Sequence, residues 1–277
     1  MSQFLTSTKN IFSILWQDFI NLIHLPDPLP QKKQQREMVE ALRNDGIVFI
    51  EEFLEAESCD SLANKLLELT SKYKKSTQLE NGAYINFRNE NNKDASDHGM
   101  IDIMYVDNAL PEIKELNVDF VTELLEQTHK QEVIKLKTHA YVNRGVKGTR
   151  TFHIDNTQPL VYKAFVYLTD VEDETYGPYS FIKGSQKLSF QVYKNLLANL
   201  FRKNHPTDMV DVDERKLIKC IAPKGTMIIS NQNGIHRGMP QGDDKTRIAL
   251  VFNFTVLSKL SYLHKTAREK LRKAKES

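Results

Sequence analysis

A chain of 277 residues can bury a full-sized core without disulfide or metal staples, and 40% hydrophobic with 27% charged residues is the balance of an ordinary soluble globule. A formal net charge of +2 gives no reason to expect a polyanionic partner, so nucleic acid is disfavoured. The two cysteines, Cys59 and Cys220, lie far apart with no CxxC spacing, which argues against a disulfide framework and fits buried thiols in a reducing compartment.

Residues 4–23 carry a helical stripe of Ile11, Phe12, Leu15, Trp16, Phe19, Ile20 and Ile23. It is too interrupted for a membrane span, and its polar face lacks the Lys and Arg of membrane-surface helices. It is therefore expected to dock on the chain's own sheet or on a twin subunit, in a monomer or a homodimer. No basic stretch followed by an apolar run and a small-residue cleavage site opens the sequence, so the expected location is cytoplasmic. The Pro-rich link Leu25-Pro26-Asp27-Pro28-Leu29-Pro30 ends this helix, and a second is expected from Gln31 to Arg43, stopped by Asn44-Asp45-Gly46. Ile47 to Ile50 reads as a buried strand, and Glu57 to Tyr73 as an amphipathic helix built on Cys59, Leu62, Leu66, Leu67 and Leu69. A polar loop over Asn89 to His98, a strand over Met100 to Val106 and a helix over Pro111 to His129 complete this half.

From Val133 the pattern changes to short β-type runs divided by Gly, Asn, Asp and Pro. The expected strands are Ile134 to Asn143, Thr151 to Asp155, Val161 to Leu168, Tyr179 to Ile182, Lys219 to Ala222, Thr226 to Ser230 and Arg247 to Val256, interrupted by one helix over Ser189 to Phe201. Helices first and antiparallel strands afterwards predict an α+β, mainly β fold: a double-sheet jelly roll with the helices packed on one sheet. The chain is expected to form one domain over residues 1–277, mostly helical over 1–130, with a jelly-roll core over 131–256 and a basic C-terminal helix over 257–277.

Within this frame one constellation carries chemistry. His153 and Asp155 stand two residues apart, so in a strand they share a face; His236 follows in Gly234-Ile235-His236-Arg237-Gly238, and Arg247 after that. Two imidazoles and one carboxylate can occupy one face of an Fe(II) ion and leave the others open. The turn-rich segment Met239 to Asp244 would fold Arg247 back beside the metal strand, where its planar fork suits a carboxylate. On the last strand Arg247, Ala249, Val251 and Asn253 form one face, small and partly polar as a pocket wall should be, while Ile248, Leu250, Phe252 and Phe254 form a core face.

On His153 and Asp155, the segment Lys163 to Val171, Gly177-Pro178, the Gly-Ser of Lys183-Gly184-Ser185-Gln186, His236 and Arg247, the chain resembles the phytanoyl-CoA dioxygenase-like family of Fe(II)/2-oxoglutarate oxygenases from about Tyr141 to Phe254. It departs from that family's frequent Pro-Gly-Ser-His at residues 183–186 and from its frequent Trp at Phe152. The resemblance implies a double-stranded β-helix, a cupin-like form of jelly roll, with iron held by His153, Asp155 and His236. It further implies 2-oxoglutarate and dioxygen as co-substrates, with Arg247 on the far carboxylate, and hydroxylation of a small-molecule substrate with release of succinate and carbon dioxide. The family's halogenases typically have a small residue where Asp155 stands, so halogenation is disfavoured.

Lys163 either points into the cavity, toward 2-oxoglutarate or an acidic substrate, or is a structural lysine with a snorkelling stem. Tyr141 and Asn143 share a strand face and either hydrogen-bond the co-substrate or pack within the sheet. Asn156, beside the motif, is a candidate substrate contact. Lys259, Lys265, Arg268, Lys270, Arg272, Lys273 and Lys275 outnumber Glu269 and Glu276 near the C-terminus, which reads as a solvated helix end or as a docking site for an acidic carrier protein. Two other functions fit the same ligand residues: a hydrolase that activates water on zinc, and a jelly-roll binding protein without turnover.

Overall fold

Alternating side chains that bury both faces of long antiparallel strands dictate the architecture of this computed structural model, which describes residues 32–88, 97–155, 160–187, 190–199, 205 and 207–257. The strands are β1 (Ile47–Ile50), β2 (Thr77–Gln78), β3 (Tyr84–Phe87), β4 (Ile101–Met104), β5 (Val133–Arg144), β6 (Leu160–Tyr167), β7 (Tyr179–Ile182), β8 (Leu217–Lys219), β9 (Met227–Asn231), β10 (His236–Gly238) and β11 (Thr246–Val256). Eight form an antiparallel sheet in the order β1-β9-β6-β11-β5-β4-β3-β2, and three form a second in the order β10-β7-β8. The helices are α1 (Lys33–Asn44), α2 (Ala56–Ser71), the single turn α3 (Val106–Ala109), α4 (Asp119–His129) and α5 (Phe190–Asn199).

Strand parity divides the interior. Tyr162, Ala164 and Val166 of β6, with Ile248, Leu250, Phe252 and Phe254 of β11, meet Val39 and Leu42 of α1, Leu62 and Leu66 of α2, and Leu124 and Leu125 of α4. The helices thus cover one face of the large sheet. Phe165 and Tyr167, with Ala249 and Val251, point the other way and meet Tyr179 and Phe181 of the small sheet. Two sheets closed over a shared core, with helices outside one of them, make the jelly roll expected from the sequence.

Several boundaries differ from the sequence reading. The helix expected over Pro111 to His129 is a 3-10 turn, Pro111–Glu115, followed by α4; between them Asn117 Oδ1 accepts a hydrogen bond from Asp119 N at 3.2 Å, a local turn contact just before the helix. The strand expected over Met100 to Val106 ends at Met104, because Tyr105 turns the chain with a left-handed φ of 54° into α3. The strand expected at Lys219 to Ala222 lies earlier, as β8, and Thr151 to Asp155 joins neither sheet as a full strand. The short strands β2, β3 and β10 were not anticipated. The stripe over 4–23, the Pro-rich link, Asn89 to Glu90 and the six residues after them, Asn156 and the basic segment 258–277 lie outside the described residues. Among the described residues no helix is long and apolar enough to cross a membrane.

One close approach fixes how the first strand joins the rest. Gly225, at φ +86°, accepts a hydrogen bond from Leu54 N at 3.2 Å, and a Cβ there would stand 2.1 Å from Leu54 O. Only glycine allows the β8–β9 turn to lie against the chain entering α2.

Between α4 and the sheet, His129 Nε2 lies 2.8 Å from Tyr162 Oη, which also accepts from Asn231 Nδ2 at 3.1 Å. With that acceptor position taken, the tyrosine donates its proton to a neutral imidazole. Burial, with the nearby Arg43 charge, pushes His129 down to about 4. The unfolded chain binds a proton near pH 6.5 that the folded chain refuses, so stability from this site is complete above pH 6.5 and is lost as pH falls from there toward 4. Urea unfolding at pH 7.5 and pH 5 is expected to show a larger acid loss in the wild type than in His129→Gln; equal losses would remove His129 as the cause.

Candidate metal centre and its cavity

The segment Phe152 to Asp155 is extended and wedged between two others. His153 and His236 exchange backbone hydrogen bonds at 3.0 and 2.9 Å, Ile154 N donates to Thr207 O at 3.1 Å, Met209 N to Phe152 O at 2.7 Å, and Asp155 N to Gln232 O at 3.0 Å. Phe152 and Ile154 face a small core with Leu196, Met209 and Ile235, which turns His153 and Asp155 to the opposite side. That side is the gap between the two sheets.

There the three side chains converge. His153 Nε2 and His236 Nε2 lie 3.4 and 3.5 Å from the same Asp155 Oδ1, and one ligating atom from each residue falls within 4.8 Å of the others. The ring orientations are fixed from behind: His153 Nδ1 contacts Thr151 O at 2.8 Å and His236 Nδ1 contacts Gly234 O at 2.9 Å. A carbonyl only accepts, so each Nδ1 carries a proton, and in the neutral ring each Nε2 presents a lone pair. Burial, with the neighbouring His236, holds His153 down to about 4, so it is neutral near pH 7. Burial alone would raise Asp155, but the Lys163 ammonium beside it more than offsets this and holds it well below the usual carboxylate range. Three electron-pair donors facing one point, one of them anionic, suit a divalent cation such as Fe(II).

Lys163 Nζ binds the other carboxylate oxygen, Asp155 Oδ2, at 2.6 Å. Burial would lower the lysine, but Asp155 raises it above its ordinary value. Its stem reaches across from β6, so its ammonium faces the motif itself, and Asp155 keeps Oδ1 for the imidazoles.

Arg247 enters from β11 and is 9% exposed. It donates to Gly177 O, in a left-handed turn at φ 67° where a Cβ would collide with Met239 O, and it contacts the Tyr167 hydroxyl. No carboxylate among the described residues pairs with it. A nearly buried guanidinium without a counter-ion suits an anionic ligand.

These groups share a cavity of about 210 Å³. Tyr141 and Asn143 line it, and Asn143 sits directly across the strand pair from Arg247; its Oδ1 has no hydrogen-bond partner. The sequence reading missed Tyr179, Gln232, Arg88, Asp97 and Arg150, which also line it. Tyr179 could have been found from its alternation with Phe181 on β7. Nothing in the sequence marks Arg88 or Asp97, because a loop contact brings them in: Asp97 N donates to Gly148 O at 2.9 Å, and Asp97 Oδ1 accepts from Arg150 N at 3.2 Å.

Comparison with curated protein sequences gives no match. Among solved structures, the chain is similar to SnoN, a non-heme alpha-ketoglutarate-dependent epimerase from nogalamycin biosynthesis, at 14% identity over 80% of this chain and 83% of that one, TM-score 0.59. The carbocyclase SnoK from the same biosynthesis aligns at 17% identity over 83% and 87%, TM-score 0.59. HygX from Streptomyces hygroscopicus, solved with nickel and 2-oxoglutarate bound, aligns at 14% over 80% and 87%, TM-score 0.58. At these identities the likeness is one of fold. The family follows from sequence: the model for phytanoyl-CoA dioxygenase matches residues 42–249, a span that takes in the large sheet's central strands, the small sheet and the whole His/Asp/His cluster, and the chain belongs to the phytanoyl-CoA dioxygenase family.

Proposed function

We propose that the protein is an Fe(II)/2-oxoglutarate-dependent dioxygenase that hydroxylates an unactivated C–H bond of a small molecule, a metabolite, acyl compound or natural-product intermediate. The observation that carries this reading is the pairing, in one cavity, of three converging electron-pair donors with a buried arginine that has no carboxylate partner among the described residues. His153, Asp155 and His236 would hold the iron, and Arg247 would hold the far carboxylate of 2-oxoglutarate. Iron and 2-oxoglutarate, when bound, supply the oxidising power of dioxygen, with succinate and carbon dioxide as the co-product pair.

The protein's own residues do the positioning. Thr151 O and Gly234 O keep the two imidazoles in one tautomer, Lys163 keeps Asp155 ionised and oriented, and the Tyr167 hydroxyl steadies Arg247. Tyr141 and Asn143 border the space between Arg247 and the metal ligands and are assigned to the co-substrate's flank. Phe165, Tyr167 and Tyr179 give that space an apolar wall, which limits water at the reacting centre. A hydrolytic zinc site would leave the buried charge of Arg247 without a ligand.

Anaerobic addition of Fe(II) and then 2-oxoglutarate is expected to give a weak visible charge-transfer band, and a fully iron-loaded protein that shows none would sink the co-substrate assignment. Arg247→Ala is expected to weaken 2-oxoglutarate by about tenfold to a hundredfold, the usual cost of a lost charge-assisted pair, while iron binding stays near wild type. Unchanged co-substrate affinity would reassign the arginine. Lys163→Met is expected to lower Ni(II) affinity by about 10- to 100-fold, as for other partners of a ligating carboxylate, measured by calorimetric titration. An unaltered Ni(II) isotherm would make the lysine a packing residue only.

A further inference from the structure

Two guanidinium groups line the same cavity and take no part in the chemistry assigned so far. Arg88 closes the β3 side; its Nη1 lies 3.3 Å from Asp97 Oδ2 and its Nη2 3.4 Å from Asp102 Oδ2. Arg150 is held more tightly. Its Nε and Nη2 reach Asp208 Oδ1 at 3.0 and 2.8 Å, and its Nη2 also reaches Thr207 Oγ1 and His205 Nδ1, both at 2.9 Å. Asp97 joins the two arginines, taking the Arg88 side chain on one oxygen and the Arg150 backbone N–H on the other.

The placement of the carboxylates gives these ion pairs a direction. Arg88 and Arg150 line the cavity, whereas Asp102 and Asp208 do not. Asp102 and Asp208 thus hold their arginines from outside the cavity lining, whereas Asp97, the other partner of Arg88, lines the cavity beside it. Asp102 is itself held by His139 Nδ1 at 3.1 Å and so is fixed independently of Arg88. The two Arg88 contacts are longer than the usual 2.7–2.9 Å of a charge-assisted hydrogen bond, and its Nε, like Nη1 of Arg150, has no hydrogen-bond partner among the described residues. The arginines are oriented but not saturated. Arg247 and Lys163 are already assigned, to 2-oxoglutarate and to Asp155, so among the described residues these two are the Arg and Lys side chains of the lining left without a role.

We propose that Arg88 and Arg150 form an oxyanion-reading rim, and that the substrate carries a carboxylate or phosphate which docks on them while its apolar part lies toward the wall of Phe165 and Tyr179. This rests on the dioxygenase reading above, with the substrate and 2-oxoglutarate held at opposite ends of one cavity. Arginines braced by carboxylates from behind are pre-organised for a planar oxyanion, which lowers the ordering cost of binding. Asp97 ties the Arg88 side chain to the Arg150 backbone and so links the two positions.

The test uses the full chain loaded with Ni(II) and 2-oxoglutarate and probed by calorimetry with benzoate, phenyl phosphate and the neutral benzamide. The expected result is binding of at least one anion, weakening with added salt, and no matching binding of benzamide. Arg88→Gln is expected to weaken that anion by about tenfold or more, and Arg88→Lys to restore part of it. Arg150→Lys, which keeps the charge near Asp208, is expected to weaken the anion by loss of the fork. Benzoate alone or phenyl phosphate alone identifies the group that is read. Equal affinity for benzamide, no anion binding, or anion binding indifferent to all three substitutions overturns the proposal. Loading is measured first in each protein. Wild type that fails to take up Ni(II) and 2-oxoglutarate would overturn the parent reading, and the anion titration, still read on that protein against the Arg88 variants, would judge the rim separately.

Discussion

Two imidazole nitrogens and a carboxylate oxygen that face one point crowd and repel one another when each presents a lone pair and nothing positive lies among them, and much of this cavity is organised around that constraint. The repulsion is held in place by the backbone. Two carbonyls lock the imidazole tautomers, the hydrogen-bond exchange between His153 and His236 fixes the rings side by side, and the Gln232 carbonyl holds Asp155. Lys163 supplies a positive charge on the outer oxygen of Asp155 and leaves the inner one crowded by acceptors. Arg247 is the complementary case: a positive group, nearly buried, whose partners among the described residues are a carbonyl and a hydroxyl. The same space asks for a cation at one end and an anion at the other.

Much of the frame was readable from side-chain alternation. On β6 and β11 the period of two separates a helix-facing core from a cavity-facing row, and the row of Arg247, Ala249 and Val251 appears in the structure as the wall between the sheets. The spacing of His153 and Asp155 was informative for the same reason. Their segment keeps a strand's parity although it belongs to neither sheet as a strand, since Phe152 and Ile154 are buried on the other side.

What escaped the sequence has physical causes. β2, β3 and β10 are two to four residues long, too short for a periodic signal to rise above the neighbouring turns. Arg88, Asp97 and Arg150 reach the cavity through contacts between loops, notably the Asp97 to Gly148 pairing, and no local pattern encodes a contact between segments so far apart. For Lys163 the sequence left a cavity-facing and a structural reading open, and its partner could not be read from β6 alone; only the fold shows its ammonium meeting Asp155.

The direct pairing of His153 with His236 also bears on how the chain folds. The two residues lie on either side of β6 through β9 in sequence, and a long-range backbone pairing makes them neighbours in the fold. A complete set of metal donors therefore exists in the folded chain and is scattered in the unfolded one. An ion bound there stabilises the whole closed topology by mass action, by about 1.4 kcal/mol for each tenfold excess of free ion over its dissociation constant. A metal ion held by His153, Asp155 and His236 would act as a clasp whose strength the surrounding solution sets, tying resistance to unfolding to the free metal concentration.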